Sequence, residues 1–78
     1  MKVIDVLRLM NNYDSIRVHG ASDLEWGDEN PNLWEPTRVD DLGWLLVEKL
    51  ASRNVIEIAS DFAEKDGKTV SCLTLVYR

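Results

Sequence analysis

Two runs of alternating residues, Val55 to Ala63 and Thr69 to Tyr77, flank the dipeptide Asp66-Gly67, and nothing else in the chain constrains its fold as much. Asp-Gly accepts the positive φ angles that a two-residue hairpin turn requires. With that dipeptide as the loop, Ile58 falls opposite Leu75, Ile56 opposite Tyr77 and Phe62 opposite Ser71. One face of the hairpin is then Ile56, Ile58, Phe62, Leu73, Leu75 and Tyr77, and the other carries Glu57, Asp61, Cys72 and Thr74. A split of this kind predicts one face under helices and the other in water.

The rest of the chain supplies the cover. From Lys2 to Met10, Val3, Val6, Leu7 and Met10 recur at helical spacing, with Asp5 and Arg8 on the opposite side. Asn11 to Asp14 stops that helix. Ser15 to His19 alternates as a strand that ends at Gly20. Ser22 to Pro36 holds two prolines and a glycine and reads as a structured loop, with Asp23 to Trp26 as a candidate short edge strand. Thr37-Arg38-Val39-Asp40 has the form of a capping box, so a second helix is expected from there to about Arg53, with Val39, Leu42, Leu46 and Leu50 as its buried stripe. Trp44 lies about 160° from Leu46 at about 100° per residue, so either the acidic loop folds over it or a partner meets it. The predicted fold is a single α+β domain over residues 1–78. Its order is α-β-(loop or short β)-α-β-β, with two helices on one face of a small, mainly antiparallel sheet of three or four strands.

Seventy-eight residues are few for a core without staples, so dimerisation stays open. The single cysteine, Cys72, cannot form an internal disulfide, and no apolar run approaches the roughly 20 residues that cross a bilayer. A cytoplasmic protein without a membrane partner is expected. The charge is uneven: Ser22 to Asp41 holds seven carboxylates against one basic residue, Arg38, a net −6, whereas the whole chain carries −5. A pI near 4.6 speaks against direct nucleic-acid binding, which needs clustered Lys and Arg.

Few residues invite chemistry. His19 is the only imidazole and reads as a solvated strand-end residue. Cys72 reads as a small, half-buried strand residue with nothing nearby in sequence to lower its pKa. Gly20, Gly27, Gly43 and Gly67 form no phosphate-binding spacing. Asp23, Glu25, Asp28, Glu29 and Asn30 could wrap a hard cation, but they fit no EF-hand loop. No enzyme, metal or cofactor is expected, which leaves recognition. Asp23, Glu25, Asp28, Glu29, Glu35, Asp40 and Asp41 would present a line of negative charge, with Trp26 and Trp34 as anchors, to a basic partner. In the alternative, Trp26, Leu33 and Trp34 fold back onto Trp44 as core.

In the first quarter of the chain, Asp5, Val6, Leu7, Arg8, Asn12, Ile16, Arg17, Val18 and Gly20 form a helix-strand opener that resembles small acidic phage and prophage proteins of the anti-CRISPR type. The resemblance implies a mobile-element origin and a task of disabling a basic, nucleic-acid-handling machine such as an RNA-guided nuclease, in the host cytosol. No functional residue carries over, because the opener contains none of that family's inhibitory carboxylates. Two functions therefore stand as expectations: an inhibitor that lays the acidic, Trp-bearing segment on a basic nucleic-acid-binding surface, or an accessory protein that acts by homo-oligomerisation, with acidity serving solubility.

Overall fold

A computed structural model describes residues 1–11, 14–22 and 32–78. The described elements run α1 (Val3–Leu9), β1 (Ser15–Gly20), β2 (Leu33–Arg38), a single 3-10 turn (Val39–Asp41), α2 (Trp44–Ala51), β3 (Val55–Lys65) and β4 (Lys68–Tyr77). The four strands form one mixed sheet in the order β2-β1-β4-β3. The α+β class and the two helices agree with expectation. The sheet has four strands, and its central pair, β1 and β4, is parallel, with Ile16 opposite Leu73, Val18 opposite Leu75 and Gly20 opposite Tyr77. A parallel pair needs a long crossover, and here the chain between β1 and β4 supplies it.

The core lies where that central pair meets the helices. Ile16, Val18, Leu75 and Tyr77 from the sheet, Val3, Val6 and Leu7 from α1 and Leu50 from α2 form one buried cluster. Both helices thus cover the same face. At seven and eight residues they are too short to persist alone, so packing holds them. Each large side chain buried here stabilises by about 1.5–3 kcal/mol. At the start of α1, Asp5 Oδ2 accepts the Lys2 amide at 2.9 Å, and Lys2 Nζ donates to Ser52 O at 3.1 Å. Tyr77 brings a hydroxyl to the core boundary, and it donates to Asn32 Oδ1 at 3.3 Å.

The hairpin forms as its turn demands. Asp66 and Gly67 have φ of 54° and 77°, and Ile58 faces Leu75 and Phe62 faces Ser71. Ile56 does not face Tyr77. A bulge between Val55 and Glu57 places Val55 there and leaves Ile56 as the extra residue.

The second helix is shorter than expected. Leu33–Arg38 is a strand paired with β1 (Ser15 opposite Arg38, Ile16 opposite Thr37), and α2 begins only at Trp44. Thr37 caps no helix; its hydroxyl donates to Glu35 O at 3.1 Å. Pairing with β1 outweighs the local capping signal. Pro36 is tolerated because β2 is an edge strand, where a missing amide breaks no ladder bond. The expected edge strand at Asp23 to Trp26 lies outside the described residues.

Neither face behaves as a simple inside or outside. On the helix side, Ile58 and Phe62 of β3 remain exposed, because the helices reach only over the middle of the sheet. On the reverse side, Cys72 and Thr74 are buried. Arg17 reaches across them: its Nη2 pairs with Asp61 Oδ2, while Nε and Nη2 donate to Thr74 Oγ1 at 3.3 and 3.2 Å. Among the described residues, no helix is long and apolar enough to cross a membrane.

Candidate functional site

The nine expected partner-binding residues divide into two groups. Asp23, Glu25, Trp26, Asp28 and Glu29 lie outside the described residues. Trp34, Glu35, Asp40 and Asp41 are described.

Trp34 sits on the reverse face of the sheet. Its ring stacks on His19, with centroids 5.1 Å apart and planes 12° from parallel. Strand alternation explains this: Leu33 pairs with Val18 on the core side, so the next residue on β2 points the other way, as His19 does on β1. Trp34 therefore cannot fold onto Trp44, which belongs to a helix on the opposite face. Nor is His19 a freely solvated residue. It is half-buried, and its Nδ1 lies 3.0 Å from Gly20 O, a bond that requires Nδ1 to carry the proton.

Asp40 is partly neutralised within the molecule, since Arg38 Nη2 donates to its Oδ2 at 2.8 Å. Glu35 and Asp41 are exposed, and neither is in an ion pair among the described residues. Asp41 closes the 3-10 turn, separated from α2 by Leu42 and Gly43. There the first helical residue, Trp44, is 72% exposed, followed by an exposed Leu45. Glu48 is four residues on from Trp44, on the same side of the helix. Leu50 is buried, and Leu46 and Val47 are half-buried against the core, so α2 cannot turn Trp44 inward without losing them. Of the two outcomes open for Trp44, the exposed one holds. Asp41, Trp44, Leu45 and Glu48 form an acidic, aromatic surface at the corner leading into α2.

A shallow pocket of about 230 Å³ is lined by Met10, Asp14, Ser15, Ser60, Ser71, Cys72 and Leu73. It is smaller than the roughly 300–1,000 Å³ of most small-molecule sites. Its carboxylate is engaged, because Asp14 Oδ2 accepts the Asn11 amide at 2.9 Å. His19 pairs with Val76 at the far end of β1, so no imidazole reaches Cys72. Among the described residues, no three His, Cys, Asp or Glu side chains converge as metal ligands. No protein-family model, curated protein or solved structure matches the chain.

Proposed function

We propose that the chain is a non-enzymatic, protein-binding inhibitor that meets a basic, nucleic-acid-binding surface with the corner at the start of α2 and the acidic segment preceding it. The observation that carries this reading is Trp44: a large aromatic side chain held 72% exposed by a helix whose other face is anchored in the core. Tryptophan is one of the residues enriched among the few that carry most of an interface's binding energy. Asp41 and Glu48 beside it, with Glu35 and the carboxylates of 23–31, supply the field that draws Lys and Arg toward it. The anti-CRISPR-like opener fits the same reading, with an RNA-guided nuclease as partner and the PAM-reading channel as the surface occupied.

The test is displacement of PAM-bearing duplex from a purified RNA-guided nuclease by the intact protein. Displacement should occur at low salt and weaken as ionic strength rises. Trp44→Ala should reduce it about tenfold, as expected for loss of roughly 1.4 kcal/mol at an anchor, with the melting temperature unchanged. Reversal of Asp28, Glu29, Asp40 and Asp41 to Lys should abolish it. Failure to displace duplex at low salt, or displacement unaffected by the fourfold reversal, would overturn the proposal.

A further inference from the structure

Among the described residues, the outer edge of β3 has no ladder partner, and β2 approaches it only at the turn end, where Lys65 Nζ donates to Pro36 O at 2.8 Å. In a hairpin with a two-residue turn, the pair flanking the turn is hydrogen-bonded, so Lys65, Ala63, Asp61 and Ala59 turn their amides toward β4. Ile58, Ser60, Phe62 and Glu64 turn theirs outward. Val55 at the start of the edge is covered, since its amide donates to Met1 O at 2.8 Å. Beyond it, the Phe62 amide is held by the neighbouring Asp61 Oδ1 at 2.8 Å, and among the described residues no other strand lies on this edge. Two of the usual defences of a sheet edge are missing from its middle, since no proline and no lysine occurs between Ile56 and Glu64 and the one bulge is at its start, which leaves Glu57, Asp61 and Glu64 as its only charges. The helix-side face carries Ile58 at 46% exposure and Phe62 at 71%.

We infer that the occupant of this edge is a second copy of the chain, paired antiparallel through β3 about a two-fold axis at Ser60. The free edge from Ile56 to Glu64 has Ser60 at its midpoint. In that register Ser60 faces Ser60 of the second copy, and Ile58 faces the second copy's Phe62 on both sides of the axis, so the bare apolar side chains cover each other. On the reverse face, Ala59 faces Asp61 and Glu57 faces Ala63, with no like charges opposed. The neighbouring registers fail on charge. An axis at Asp61 sets that carboxylate against itself, and an axis at Ala59 sets Asp61 against Glu57. Both four-stranded sheets then join into one sheet of eight, and the displaced Asp61 contact is replaced by a ladder bond to the Phe62 amide. Each copy carries a net −5, so association strengthens as salt screens that repulsion, opposite in sign to binding of a basic partner.

Sedimentation velocity over a wide concentration range, at low and at high salt, is the first measurement. A monomer-dimer equilibrium that shifts toward dimer with salt is expected, and Ile58→Lys should abolish it. Ser60→Cys treated with a short bis-maleimide should give a covalent dimer, because paired residues sit about 5.5 Å apart. Glu64→Cys should not, because its two copies are about 27 Å apart along the ladder at ~3.4 Å per residue. Cys72, 5% exposed, serves as the internal blank. A monomer at all concentrations overturns the inference, as does cross-linking at position 64 equal to that at position 60. Pairing of β3 with an extended segment of another protein would also appear as a monomer when the chain is alone.

Discussion

Ile58 and Leu75 face each other across one hairpin, with the same chemistry and on the same side of the sheet, yet Leu75 is fully buried and Ile58 is nearly half exposed. Their difference is one of position in the sheet. β4 is central, flanked by β1 and β3 and roofed by helices, whereas β3 is the edge, where the roof ends. Alternation along a strand decides which face a side chain takes. How much of that face is covered depends on which strand lies beside it, and that is a long-range fact.

Stability measurements can break or sharpen this contrast. Leu75→Ala should cost about 2–5 kcal/mol of unfolding free energy in denaturant titrations, because it opens a cavity under both helices. Under conditions that keep the protein monomeric, Ile58→Ala on the partner strand should cost no more than about 1 kcal/mol, in proportion to its smaller burial. Equal costs would mean that β3 is as well covered as β4. Gly67→Ala, which forces a Cβ onto a φ of 77°, should cost about 1 kcal/mol and weaken both strands alike. The tryptophans give a parallel contrast: Trp34→Ala should cost about 0.5–1.5 kcal/mol through loss of its stack on His19, and Trp44→Ala less than about 0.5 kcal/mol. A larger loss for Trp44 would place it in the core and remove the anchor. Asp61→Ala should also cost little, about 0.2–1 kcal/mol, since the carboxylate it removes from the pair with Arg17 is about half exposed to solvent.

Features set by neighbouring residues were legible in the sequence. Asp66-Gly67 determined the turn and, with it, the register at Ile58 and Phe62; α1 and β1 followed from periodicity. The helical angle of Trp44 showed that it lay off the buried stripe, which narrowed its fate to two outcomes. What escaped depends on partners distant in the chain. Leu33–Arg38 is a strand because β1 lies beside it, although Pro36 argues against a strand and Thr37 mimics a helix cap. The bulge at Val55/Glu57 and the parallel pairing of β1 with β4 leave no local mark. For the candidate surface, composition identified an acidic stretch but not the direction of its side chains, so the stacking of Trp34 on the reverse face and the Arg38–Asp40 pair could not be read. Leu45 and Glu48 gain their place beside Trp44 only once α2 begins at Trp44.

The tip of the hairpin is not a free end. Lys65 Nζ donates to Pro36 O at 2.8 Å, which joins β3 to β2, the strands at opposite margins of the sheet. The sheet is thereby drawn round like a cupped hand whose outer fingers touch, and the carbonyl used belongs to the one residue of β2 that has no amide to give. Opening at either margin releases the other, so amides in β2 and near the turn should become deuterated together, while those at Val18 and Leu75 stay protected until the whole molecule unfolds.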